Sequence, residues 1–308
     1  MITYRKSDIP KHLQQYFEPA EIGLEDTPAE YVEKMVEVFR GVKRVLRDDG
    51  TLWLNLGDSY AGGGRGCDTP KQRSNKGTQD MPKSVVPAGL KPKDLIGIPW
   101  RVAFALQADG WYLRQDIIWS KPNPMPESVT DRCTKAHEYI FLLSKSPRYY
   151  YDADAVKEPV TDSTVERLSQ DIENQRGSER VPNKTNGNMK AVAHKSACTP
   201  GQTPHSKALK CMNGEKDPVY VSRNKRSVWT VTTKPYKGAH FATFPPDLIR
   251  PCILAGCPQK GTVLDCFGGS GTTGMVAEEE GRSSVLIELN PEYVELGKKR
   301  TQQMGLFT

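Results

Sequence analysis

The sequence has no apolar run approaching the ~20 residues that a membrane-crossing helix requires, which excludes a helical membrane protein. Its opening stretch, MITYRKSDIPKHLQQ, is polar and has no signal-peptide core, so the chain is read as cytoplasmic. Cysteines are few and irregular: Cys67, Cys133, Cys198, Cys211, Cys252, Cys257 and Cys266 are odd in number, which argues against a disulfide framework. His194, Cys198, His205 and Cys211 lie close enough to raise a zinc site, but the paired C-x-x-C knuckles of such a site are missing. They are read as loop residues, and no metal is expected. No internal repeat is visible. Acids are scarce in one place: residues 181–237 hold eleven Lys and Arg against Glu215 and Asp217, a net +9 that exceeds the whole chain's +6. A basic, aromatic-poor stretch rich in Asn, Thr, Ser and Gly suits a polyanion-facing surface; a solvated loop that keeps the protein soluble is the plainer reading.

The 308 residues suffice for one large domain or two modest ones, with a core needing neither disulfides nor metals. Thr27-Pro28-Ala29-Glu30 reads as a helix start with a hydroxyl cap, proline at the first position and a capping-box glutamate. Apolar residues then recur at helical spacing from Tyr31 to Leu46. TLWLNL (51–56) predicts a buried strand of a parallel sheet, 94–109 a helix, and YLRQDIIWS (112–120) and HEYIFLLSKS (137–146) further strands, with RYYYD (148–152) a candidate strand. From about 155 to 228 the pattern dissolves, and order returns with SVWTV (227–231). The last segment is clearest: strand 262–266, turn FGGSGTTG, helix from Thr272 to Glu280, strand 283–288, and a final helix capped by Asn290-Pro291.

That turn holds G-x-G-x-x-G at Gly269–Gly274, which lets a ligand approach main-chain N–H groups at a helix start. Glu288 lies 23 residues beyond Asp265 at the end of the next strand, placed to accept from both ribose hydroxyls of an adenosine. A tight strand–helix turn without ligand is the bland alternative. Too little chain follows for a second mononucleotide half, which disfavours a dinucleotide.

DCFGGSGTTG (265–274) resembles the S-adenosylmethionine motif of DNA amino-methyltransferases, enzymes that methylate the exocyclic nitrogen of cytosine or adenine. HFATFPPDLIRPCILAGCP (240–258), TLWLNLGDSYAGG (51–63), IPWRVAFALQADGWYLRQDIIWSKPNPMPES (98–128) and KAHEYIFLLSKSPRYYYD (135–152) are similar to the family as well. The resemblance covers about 22–154 and 227–300. It implies a Rossmann-like α/β S-adenosylmethionine-dependent methyltransferase fold: a mainly parallel sheet with helices on both faces, in the circularly permuted, beta-type motif order. The implied divisions are a catalytic half over 1–154, a basic, partly disordered target-recognition insert over 155–228, and a cofactor half over 229–308. By the same resemblance Asp265, Phe267, Gly268, Gly269, Ser270, Gly271 and Thr272 cradle S-adenosyl-L-methionine. Glu288 holds the ribose, and His240, Thr243 and Phe244 lie near the methionine end. The expected partner is double-stranded DNA with its target base flipped out. Trp119, Lys121, Asn123 and Pro124, with Arg223, Lys225 and Arg226 from the insert, are the expected DNA contacts. The family setting allows a cognate restriction nuclease, which nothing in these residues requires.

One piece departs from the family. Its Ser, Asp or Asn followed by Pro-Pro and an aromatic residue accepts hydrogen bonds from the target amino group, and no such tetrapeptide occurs here. Ser7-Asp8-Ile9-Pro10 falls near its place with one proline and no aromatic; the sole Pro-Pro, Pro245-Pro246, precedes Asp247. Three accounts compete: a start internal to a longer chain, a degenerate enzyme that still binds cofactor or DNA, or a substitute site in which Asp58 and Tyr60 supply the acceptor and the ring. A DNA-binding protein without turnover is the rival from another class. An RNA or small-molecule methyltransferase follows, and an oxidoreductase comes last.

Overall fold

The computed structural model describes residues 22–23, 25–62, 86–87, 89–161, 222–233 and 243–302. Helix α1 (Pro28–Val45) starts as its sequence dictates: the Thr27 hydroxyl accepts from Glu30 N–H, and the Glu30 carboxylate accepts from Thr27 N–H, both at 3.2 Å. This reciprocal cap satisfies two donors that a helix start leaves orphaned. Met35 and Phe39, four apart, are buried on its inner face, and Lys43 and Arg44 complement the dipole in its last turn.

Strands β1 (Thr51–Leu56), β2 (Tyr112–Ser120), β3 (His137–Ser144) and β6 (Val228–Thr230) form one sheet in the order β1-β3-β2-β6. β3 runs antiparallel to both neighbours, while β2 and β6 are parallel, so three of the four strands point one way. Neighbouring side chains on a strand face opposite sides, and the core divides accordingly. Phe141, Leu143 and Leu54 face α1 and helix α2 (Ile98–Ala108), meeting Met35, Phe39, Val102 and Leu106. Ile140, Ile117 and Trp119 face helix α3 (Pro246–Gly256), meeting Trp229, Leu248 and Cys252. Gly256 is needed where α3 crosses β1: a Cβ there would lie 2.5 Å from the Trp53 indole nitrogen.

β7 (Thr262–Asp265), α4 (Thr272–Glu279) and β8 (Ser283–Leu286) follow, with β7 and β8 paired in parallel, and α5 (Pro291–Gln302) ends the described chain. Ile253, Val276 and Ala277 bury α3 against α4. Among the described residues no ladder joins the β7–β8 pair to the four-stranded sheet. Side chains link them instead: Cys266 packs on the α1–β1 core, and the Phe267 ring meets Phe39 edge-on at 6.5 Å.

Residues 156–225 form a separate unit. Of it are described the short antiparallel strands β4 (Glu158–Pro159) and β5 (Ser222–Arg223).

Three sequence expectations are corrected. β1, read as a buried strand of a parallel sheet, pairs antiparallel with β3, and of its residues Leu54 alone is buried. Residues 148–152 form no strand; Tyr150 and Asp152 donate their N–H groups to the Asp49 and Ala255 carbonyls in connecting chain. Helix α2 begins at Ile98 rather than 94, because Gly97 takes φ 76° as its cap and Asp94 and Leu95 are held by loop 58–61.

Candidate active site

Asp265 ends β7 and staples the turn beyond it. One carboxylate oxygen accepts from Phe267 N–H at 2.9 Å and the other from the Thr273 hydroxyl at 2.5 Å. Gly268 N–H donates to the Ile287 carbonyl at 2.8 Å, tying the turn to β8's exit. Gly271 has φ 78°, and a Cβ on it would sit 2.7 Å from the Gly297 Cα in α5. Glycine is therefore required there both by conformation and by space. No side chain caps α4, whose cap residue is Gly271; a helix start carries a positive dipole end that suits an electron-rich ligand.

Glu288 lies across the turn. Its carboxylate oxygens accept from Gly269 N–H and Asn290 N–H, each at 2.8 Å. A carboxylate oxygen has two lone-pair directions, so both oxygens keep acceptor capacity for hydroxyl groups. Gly268, Gly269, Glu288 and the Tyr293–Val294 side of α5 border a small, shallow cleft. Phe267, Ile287 and Leu289 are exposed large apolar residues near it in sequence. Thr243 and Phe244 precede α3, with Phe244 packed against the Trp119 cluster; His240 lies outside the described residues. Burial, with Asp265 beside it, pushes the Cys266 thiol up to about 12, so it stays protonated at neutral pH and is no thiolate nucleophile.

The expected DNA-side residues differ in exposure. Trp119 is buried at 3% exposure, its indole N–H donating to the Val231 carbonyl at 2.8 Å. It is a core residue, because its strand lies between β3 and β6 and its side faces α3. Lys121 does not offer a free phosphate contact. Its ammonium is bonded to Glu138, which also accepts from the Asn55 amide at 3.2 Å, and lies 4.2 Å from the Trp119 ring centroid. Asn123 is exposed, and its amide grips the Thr233 backbone through bonds of 3.1 and 3.0 Å; Pro124 follows in the same loop. In the separate unit Arg223 and Lys225 both approach the Glu158 carboxylate, at 3.5 and 3.7 Å. Arg226 is exposed, and its carbonyl accepts from the Trp229 indole.

Asp58 and Tyr60 are also occupied. One Asp58 oxygen accepts N–H groups of Ser59, Gly97 and Ile98 at 3.0, 2.9 and 3.2 Å, the other faces Lys135 at 3.7 Å, and the side chain is 3% exposed. It is a long-range cap for α2, which has no cap of its own. The Tyr60 ring has the Arg132 guanidinium 4.0 Å from its centroid, and Arg132 is paired with Glu127. Asp58, one of the candidate acceptors read from sequence, thus has its carboxylate spent on backbone donors and Lys135. Ser7–Pro10 and the proposed zinc residues His194, Cys198, His205 and Cys211 lie outside the described residues. Among the described residues no cluster of His, Cys, Asp and Glu could hold a metal ion, and no helix is long and apolar enough to cross a membrane.

Sequence reasoning missed Glu138 and Arg300. Glu138 sits in an apolar strand where a carboxylate needs a cationic partner, a signal that was legible. Arg300 looked like a helix-end cation, yet it reaches back to the glycine turn.

A family model for DNA methylases, N6_N4_Mtase, matches residues 14–299. The Type II methyltransferase M.SmaI of Serratia marcescens is 45% identical over 288 residues, covering 94% of this chain and 80% of that protein. M.Cfr9I of Citrobacter freundii is also 45% identical, over 94% of this chain and 77% of its own length. Among solved structures, PvuII DNA methyltransferase, described as cytosine-N4-specific, has a TM-score of 0.54 at 18% identity, over 92% of this chain and 74% of that one, and so shares the fold. The turn, the acidic residue across it and a match spanning nearly the whole chain lead to one conclusion: the protein belongs to the N6_N4_Mtase family of DNA methylases, with S-adenosyl-L-methionine as methyl donor.

Proposed function

We propose that the chain methylates the exocyclic amino group of one base, cytosine N4 or adenine N6, at a specific site in duplex DNA, reached by flipping that base from the helix. The observation that carries this reading is the uncapped start of α4 with the Glu288 carboxylate facing it across the glycine turn. The donor set fits the cofactor: N–H groups for the methionine carboxylate, a carboxylate with spare lone pairs for the ribose hydroxyls, and exposed Phe267 for the apolar body. When bound, S-adenosylmethionine supplies an electrophilic methyl group on a sulfonium. In this reading Gly268 to Thr272 bind and orient it, and Thr243 and Phe244 flank its methionine end. Asn123 and Pro124 stand at the DNA rim, and residues 155–228 read the sequence. Trp119 and the Lys121–Glu138 pair support that rim from beneath rather than touching DNA.

Purified chain with unmethylated DNA and methyl-labelled S-adenosylmethionine tests this. Label recovered as N4-methylcytosine or N6-methyladenine in the nucleoside digest is the expected result, and it identifies the base. A second reading, cofactor and DNA binding without turnover, is favoured by the absence of a Pro-Pro-aromatic tetrapeptide and by the capping role of Asp58. Bound cofactor and bound DNA with no transferred label would select it.

A further inference from the structure

The glycine turn at the start of α4 has Gly271 as its cap residue, with the Ser270 and Thr272 hydroxyls on either side of it. Arg300, in the last turn of α5, holds them both: its NH1 nitrogen shares its two hydrogens among the Ser270 hydroxyl at 2.9 Å, the Ser270 carbonyl at 3.0 Å and the Thr272 hydroxyl at 3.0 Å, and the two hydroxyls lie 3.3 Å from each other. The NH2 nitrogen reaches the Met275 sulfur at 3.6 Å. Ser270 and Thr272 are buried, at 4% and 5% exposure, so their hydroxyls have little water to turn to instead. The third hydroxyl of the segment, on Thr273, is held by Asp265.

We propose that Arg300 is a positioning residue for the cofactor, one that fixes the shape of the glycine turn by holding the Ser270 and Thr272 oxygens on either side of Gly271. The rigid guanidinium fork suits this task, since it holds oxygens in fixed directions that a lysine ammonium cannot reproduce. It also places a permanent positive charge beneath the turn, adding to the helix dipole in favour of an anionic ligand group. Arg300 need not touch the cofactor; it acts through the turn. The inference rests on the turn being the S-adenosylmethionine site, as proposed above.

Equilibrium dialysis of labelled S-adenosylmethionine against the whole chain, with unfolding midpoints recorded in parallel, tests it. Arg300→Lys and Arg300→Met are expected to raise the dissociation constant about tenfold or more, as the loss of charge-assisted bonds implies. Free guanidinium ion should restore part of the affinity to Arg300→Ala and leave the wild type unchanged. If Arg300→Met folds poorly, Thr272→Val deletes one acceptor of the clamp and its effect should shrink in the Arg300→Lys background. Glu288→Ala separates this idea from the one beneath it. Weak binding by Glu288→Ala with normal binding by the Arg300 variants overturns the clamp alone. Normal binding by both sets overturns the turn as the cofactor site, and the clamp with it. A lowered midpoint with unchanged affinity leaves Arg300 a packing residue and refutes the proposal.

Discussion

Truncating Asp58 to alanine should remove the one acceptor shared by the Ser59, Gly97 and Ile98 N–H groups, and the size of the loss can be worked from the geometry. Helix α2 has no other side-chain cap, so the capping contribution of about 1 kcal/mol disappears. Gly97 and Ile98 are only partly exposed, and a donor deprived of its acceptor in such a place costs about 1–3 kcal/mol. Ser59 is exposed, and water can replace its bond. The expected total is about 2–4 kcal/mol, which corresponds to roughly 5–10 °C in unfolding midpoint for a chain of this size. Asp58→Asn keeps a carbonyl acceptor toward α2 and loses only the charge facing Lys135, so about 1 kcal/mol is expected. Differential scanning calorimetry at neutral pH, with methyl transfer measured well below both midpoints, is the assay. Methyl transfer by Asp58→Asn should stay within a few-fold of the wild-type rate. The reasoning is refuted if asparagine and alanine cost the same stability, or if Asp58→Asn is fully folded and inert, since a cap tolerates the amide and a required carboxylate does not.

Gly271→Ala should destabilise the protein by about 2–4 kcal/mol, because φ 78° strains an L-residue and the new methyl group would meet the Gly297 backbone; urea unfolding checks this. Loss of S-adenosylmethionine binding should accompany it. Replacing Glu138 by glutamine should cost about 1–2 kcal/mol, since it strands a Lys121 ammonium whose side chain is 18% exposed, and adding Lys121→Met should recover most of that loss in a double-mutant cycle. Iodoacetamide at pH 8 should label exposed Cys133 and spare Cys266. Because the folded Cys266 thiol is raised above its ordinary 9.0 to about 12, its contribution to stability is complete below the ordinary value and declines as pH climbs between them.

Local chemistry settled a good deal of this protein from sequence alone. The Thr27–Glu30 capping box, the β7 turn and the Asn290-Pro291 start of α5 depend on neighbours within four residues or on backbone conformation, and such rules act the same in any fold. The resemblance over about 22–154 and 227–300 carried the family. What the sequence left open was which way a strand faces and what its side chains meet. WSKPNP reads as an exposed groove until β6 pairs with β2 and α3 covers its face; Trp119 is then core and the Lys121 charge goes to Glu138. Asp58 looked like a free acid at a strand end, but the fold brings the uncapped start of α2, thirty-nine residues on, within its reach. Arg300 and Ser270, thirty residues apart, meet only because α5 packs on the turn, where Gly271 and Gly297 let the two backbones approach. A side chain's chemistry is written in the sequence; its partner is chosen by packing, which brings Asp58 to the start of α2 and Arg300 to the oxygens of the glycine turn.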